Sequence, residues 1–128
     1  MPIHVPLIPF IRRRRRRPMV AAPVALTLVA ATYEEGTWVQ LTFDRPIDIS
    51  GLVGNQIVVN DGGITGVLWE GSLSATMIDP ATVQIGLAEV SASPTVDTQL
   101  SVGAGNGIVA SADGGMWGGV TDVALPFP

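Results

Sequence analysis

Residues 38–43 read Trp-Val-Gln-Leu-Thr-Phe, and this hexapeptide decides the fold class. Val39, Leu41 and Phe43 alternate with Gln40 and Thr42, a period of two that puts one set of side chains on a buried face and the other toward solvent. A surface helix would space its apolar residues three and four apart instead. The period returns in Thr82–Leu87 (TVQIGL), through Val83, Ile85 and Leu87. Working outward, Val24–Ala31 is expected to be a first strand, ending at the turn Glu34-Glu35-Gly36. Gln56–Asn60 is a further strand, closed by Asp61-Gly62-Gly63. Ile64–Trp69 and Ser74–Ile78 follow, parted by Glu70-Gly71, with a turn at Asp79-Pro80. Gln99–Val102 and Val120–Leu125 complete the set, and Ser111-Ala112-Asp113 has room for a single turn. No stretch has the pattern of an amphipathic helix. Seven or eight short strands in about a hundred residues, with turns between them, read as an all-β sandwich or barrel.

Composition agrees and removes other classes. Fifteen glycines and ten prolines are too irregularly placed for collagen and too numerous for a helical bundle. With 47% hydrophobic and 14% charged residues, the chain is apolar enough to bury a core. The absence of cysteine excludes disulfide scaffolds, thiol catalysis and cysteine-based metal sites. There is no lysine and one histidine, which removes most general-base chemistry. No run reaches eighteen apolar residues, so neither a membrane-spanning helix nor a membrane partner is expected. The 128 residues fit one domain, residues 24–128, and one appendage, residues 1–23.

The net charge of −4 divides sharply along the chain. Residues 1–17 carry six arginines and no acid. Residues 18–128 carry one arginine, Arg45, and all eleven acids, so the appendage is +6 and the body −10. The appendage, MPIHVPLIPFIRRRRRRPMVAAP, holds five prolines, which favour an extended arm. Ile3, Val5, Leu7, Ile8, Phe10 and Ile11 lie between or beside them. Six large apolar side chains gain free energy only by burial in a groove, about 1.5–3 kcal/mol each when complete. At full extension 23 residues reach about 75 Å, far enough to meet a neighbouring subunit. Arg12, Arg13, Arg14, Arg15, Arg16 and Arg17 suit bidentate pairing with carboxylates or phosphates. A solvated charged spacer is the plainer reading. The −10 body would repel nucleic acid and confine any phosphate contact to the arm. A signal peptide, with Met19–Val29 as its apolar stretch, fits poorly, because eleven residues precede the arginines and Pro23 interrupts the stretch.

Candidate chemistry in the body is sparse, and neither catalytic residues nor a cofactor is expected. His4 lies in the arm, away from any nucleophile pattern. Asp44 and Asp48 are the nearest acid pair, but Arg45 and Pro46 between them read as turn chemistry rather than general acid and base. Asp61, Asp79, Asp97, Asp113 and Asp122 also fall in or beside loops, where oxygen ligands for Ca²⁺ could converge, yet no EF-hand loop is present and no metal site is assigned. Gly103-Ala104-Gly105-Asn106-Gly107 has neither the Gly-Lys-Ser/Thr nor the helix of a phosphate loop, and reads as a flexible hairpin loop. Of Trp38, Trp69 and Trp117, the last stands in Gly114–Gly119 (GGMWGG), without an evident packing partner. For the three indoles a core or subunit contact is the leading reading and a sugar platform the lesser one, and Trp117 is the first candidate in the body for an assembly contact.

Leu41–Asp48 (LTFDRPID) and the run from Thr98 to Leu125 resemble bacterial immunoglobulin-like domains, over roughly residues 24–126. Such domains occur as repeats in bacterial surface proteins and as single modules in tailed-phage structural proteins. The resemblance implies a single immunoglobulin-like β-sandwich. The single copy and the Arg-rich arm depart from the family's tandem repeats. With the lack of catalytic groups, the apolar extended arm and the opposite charges of arm and body, they lead to the expectation of a non-enzymatic virion structural protein, a capsid decoration (cement) protein on the capsid surface. Its partners would be the major capsid protein or other virion subunits, including further copies of itself in an oligomer. Ile3–Ile11 would fill a partner groove, Arg12–Arg17 would pair with partner carboxylates, and Trp117 would join the contact. An exported cell-surface or carbohydrate-binding module is the alternative.

Overall fold

A computed structural model describes residues 23–34, 36–60, 67–90 and 98–128. Among the described residues nine strands form: β1 (Leu28–Glu34), β2 (Trp38–Phe43), β3 (Ile47–Asp48), β4 (Ile57–Asn60), β5 (Val67–Asp79), β6 (Thr82–Glu89), β7 (Gln99–Val102), β8 (Val109–Ala110) and β9 (Val120–Ala124). One short 3-10 turn, Gly54–Gln56, precedes β4. Seven strands make a single curled antiparallel sheet in the order β1-β2-β6-β5-β4-β7-β9, and β3 pairs with β8 separately. The fold is all-β, as the period of two requires.

The hexapeptide at 38–43 is β2, with Val39, Leu41 and Phe43 buried and the intervening residues half-buried. It lies between β1 and β6, Leu41 opposite Ala31 on one side and Val83 on the other. In β1 the register slips between Leu28 and Ala30, so that Leu28 and Ala31, three positions apart, both reach the core. The sheet curls far enough for its first strand to meet the chain beyond its last. Ala31 and Phe127 exchange backbone hydrogen bonds, each N–H donating to the other's carbonyl at 2.8 Å. The core gathers Leu26, Phe43, Ile57, Ile85, Leu100 and Trp117 among others, drawn from both halves of the sheet and from the loop before β9.

Several expectations need correction. Val24–Thr27 are not strand: β1 begins at Leu28 and runs on to Glu34. The break expected at Glu70-Gly71 does not exist, for β5 continues through it for thirteen residues. Gly71 is there because the 3-10 turn presses on the strand, and a Cβ at 71 would overlap the Gly54 carbonyl. The irregularity falls later, where the β5–β6 register shifts between Gly71 and Ala75. The two-residue strands β3 and β8 are too short to show a period. Gly103–Gly107 is no hairpin, since β7 pairs with β4 and β9 while β8 pairs with β3. The turn at Ser111–Asp113 forms, with the Gly114 N–H donating to the Ala110 carbonyl at 2.9 Å.

Candidate functional site at the root of the arm

The described chain begins at the point where the arm meets the body, and that point is clamped. Arg45, in the turn between β2 and β3, donates through Nη1 to Asp113 Oδ2 at 3.0 Å. Its Nη2 donates to the carbonyls of Val24 and, at 3.1 Å, Ala25. Asp113 Oδ2 also accepts from the Val24 N–H at 3.2 Å, and its Oδ1 accepts from the Gly115 N–H at 2.8 Å. The Gly115, Val24 and Arg45 donors together hold the Asp113 carboxyl below its ordinary pKa. Asp44 fastens Thr27: its Oδ1 accepts from the Thr27 N–H at 3.2 Å and its own N–H donates to the Thr27 carbonyl at 3.0 Å. Leu26, between these ties, is buried and donates its N–H to the Met116 carbonyl at 3.1 Å. Residues 24–27 are thus fixed by polar groups on both sides of a buried leucine. Gly115 is required, because a Cβ there would overlap the Val24 carbonyl.

Behind the clamp stands Asn106, which is 0% exposed. Its Nδ2 donates to the Gly103 carbonyl at 2.7 Å and the Trp117 carbonyl at 3.0 Å, and its Oδ1 accepts from the Ile108 N–H at 2.8 Å. The Asn106 carbonyl accepts from the Val53 N–H at 2.8 Å. One amide therefore ties together the loop after β7, the start of β8 and the segment leading into β9. The glycine-rich loop expected to be a flexible hairpin is held by a buried side chain with both amide hydrogens bonded.

Trp117 is part of this arrangement and is not an exposed anchor. It is 3% exposed and meets Phe43 edge-on, with ring centroids 4.9 Å apart and planes at 77°. The glycines around it supply close backbone approaches, not exposure: a Cβ at Gly119 (φ +85°) would overlap the Val102 carbonyl. The indole is accordingly out of reach of a partner or a sugar. Trp38 and Trp69 are half-buried, and Trp69 lies over the β1–β2 turn, 3.0 Å from where a Cβ at Gly36 would be.

The other acids of the sequence reading serve turns and strand edges. Asp48 Oδ1 accepts from the Ser50 N–H at 2.8 Å, and Ser50 keeps its pKa low through backbone and hydroxyl bonds. Asp79 Oδ1 accepts from the Ala81 N–H at 2.8 Å. Asp122, in the left-handed region at φ +49°, accepts from Ser101 Oγ at 3.0 Å and Asn60 Nδ2 at 3.3 Å. Among the described residues no three His, Cys, Asp or Glu side chains are grouped as metal ligands would be. Ile3, Val5, Leu7, Ile8, Phe10, Ile11 and Arg12–Arg17 lie outside the described residues, as do His4, Asp61 and Asp97. The clamp and the Asn106 hub were not anticipated. The signals available were an isolated cation in an acidic body and an asparagine inside a glycine run.

No protein-family model, no curated protein and no solved structure matches this chain.

Proposed function

We propose that this is a non-enzymatic virion structural protein, a capsid decoration protein of a tailed phage. On this reading an immunoglobulin-like body is fastened to neighbouring subunits through its N-terminal arm. One observation carries the reading: Arg45, the body's single cation, is used up inside the molecule. It bonds Asp113 and the Val24 and Ala25 carbonyls and stands 3.8 Å from Asp44. Among the described residues Arg45 makes both of the ion pairs, so Glu34, Asp48, Glu70, Asp79, Glu89 and Asp122 have no cation beside them. The only other arginines of the chain are Arg12–Arg17. A −10 body and a +6 arm in one polypeptide suit a surface on which copies meet each other and other acidic subunits. The clamp serves this reading by giving the arm a fixed point of departure.

The strand order supports the immunoglobulin-like part. An immunoglobulin constant-type sandwich places strands A-B-E-D in one sheet and C-F-G in the other. Taking β1, β2, β4, β5, β6, β7 and β9 as A to G, the sheet β1-β2-β6-β5-β4-β7-β9 reads A-B-E-D followed by C-F-G, with β5 bridging the two groups. The half-buried or buried state of all three indoles counts against the carbohydrate-binding alternative.

The test is deletion of residues 1–17. The expected result is a body that unfolds at an unchanged temperature and no longer enters particles. Undiminished incorporation would remove the arm's role. If purified virions lack the polypeptide at capsid-scale copy number, the decoration reading falls with it. Binding of the arm peptide to DNA with a steep salt dependence would turn the reading toward nucleic acid.

A further inference from the structure

Asn106-Gly107 is the one Asn-Gly step in the chain. We propose that Asn106 is a latent deamidation site whose reaction the fold holds back, so that the residue records how often this part of the molecule opens. The chemistry is intramolecular. The Gly107 amide nitrogen gives up its proton to solvent base and attacks Asn106 Cγ. A C–N bond forms and closes a five-membered succinimide, the Cγ–Nδ2 bond breaks, and nitrogen leaves as ammonia. Water then opens the ring at either carbonyl and leaves aspartate or isoaspartate at position 106. Glycine is the residue that shields its own nitrogen least.

In the folded molecule the side chain is withheld from the reaction. Asn106 is 0% exposed, so water does not reach its amide, although the Gly107 backbone beside it is half-exposed. Nδ2, the leaving nitrogen, donates to the Gly103 and Trp117 carbonyls at 2.7 and 3.0 Å, and Oδ1 is held by the Ile108 N–H at 2.8 Å. Releasing Nδ2 as ammonia breaks its bonds to the Gly103 and Trp117 carbonyls inside the core. The glycine that makes the step labile is also one the fold needs, for Gly107 sits at φ +81° and a Cβ there would overlap the Gly51 carbonyl. The structure thus retains a reactive pair and protects it by burial. Once reacted, position 106 presents a carboxylate oxygen to two carbonyl oxygens, acceptor against acceptor in a dry site. A molecule that has opened and reacted does not re-form the same hub.

The inference is independent of the arm and of any virion role. Its test is the full chain aged at mildly alkaline pH, in buffer and in concentrated urea, followed by peptide mass mapping with isoaspartate detection. Asn106 is expected to deamidate at least about a hundredfold faster in urea, the factor that a modest opening free energy imposes. Asn55, exposed and followed by Gln56, serves as the internal control and is expected to stay intact in both. Comparable rates at Asn106 in buffer and urea would show that the native hub gives no protection. Absence of reaction in urea would show that the step is not labile. Either result overturns the proposal.

Discussion

The Arg45 guanidinium meets the Asp113 carboxylate at 3.0 Å across 68 positions of sequence, and both side chains also bond the backbone of Val24. The pair is partly buried, with side chains 25% and 23% exposed, so salt screens it less than an open surface pair. It joins the β2–β3 turn, the turn after β8 and the chain entering β1. Arg45→Ala is expected to leave the sheet intact and to speed hydrogen exchange at the Val24 and Gly115 amides. Unchanged exchange at Val24 would show that Asp113, Asp44 and Leu26 hold this segment without the guanidinium.

The same clamp sets a pH dependence. The folded-state pKa of Asp113 is depressed by the Gly115, Val24 and Arg45 donors. Its contribution is therefore complete above the unfolded carboxyl value of about 3.9 and is lost as pH falls through the lower folded value. Amide exchange at Val24 and Gly115, corrected for its intrinsic pH dependence, is expected to stay flat from neutrality down to about pH 4 and to rise below it. Asp113→Asn should show the acid behaviour already at neutral pH. A rise in the wild-type chain well above about pH 4 would mean that another group controls the root.

Asn106→Ala leaves the Gly103 and Trp117 carbonyls and the Ile108 N–H without their side-chain partner. At about 1–3 kcal/mol for each unsatisfied group, the expected loss is about 3 kcal/mol or more, read as a lower urea midpoint. Asn106→Asp should be at least as damaging, because one carboxylate oxygen replaces a donor. A loss under about 1 kcal/mol for Asn106→Ala would show that water enters and satisfies the site.

Trp117→Ala separates a core role from a contact role in the isolated chain. The buried, edge-on packing with Phe43 predicts a loss of about 3–5 kcal/mol, and a smaller one for Trp117→Phe. A residue held in reserve for a partner would change the isolated chain's stability by little.

Neighbouring glycines should respond differently. Gly119 stands at φ +85° with the Val102 carbonyl where a Cβ would go, whereas nothing lies within 4 Å of a Cβ at Gly118. Gly119→Ala is expected to cost about 2 kcal/mol or more and Gly118→Ala to stay within about 0.5 kcal/mol. Equal effects would mean that the loop re-forms around the substitution.

Strands with one buried face were legible because the pattern is the burial. Val39, Leu41 and Phe43 alternate in the sequence for the same reason that they are buried in the sheet. Glycine is the residue whose role the sequence hides. Gly71, Gly115 and Gly119 stand where the pattern suggests turns or open space, yet each lacks a side chain so that another backbone can come close. A one-letter glycine does not distinguish these uses. For the same reason the glycines around Trp117 show no packing partner in the sequence. The divide in charge at the arm was plain, but the pairing of Arg45 with Asp113 depends on a chain reversal that no local spacing encodes. The Asn106 hub likewise depends on carbonyls at 103 and 117, brought together only by the fold.

The seam between Ala31 and Phe127 bears on how the molecule carries load. A pull on residues 1–23 enters the body at the clamp and passes straight into β1. That strand is laddered to β2 along one edge and held at Ala31 by Phe127 on the other. To detach it, a tug must break contacts on both flanks together, where a free outer strand could be peeled away one bond at a time. The anchorage of residues 24–27 and the toughness of the curled sheet behind it are therefore one mechanical path, running from Val24 through β1 to the last turns of the chain.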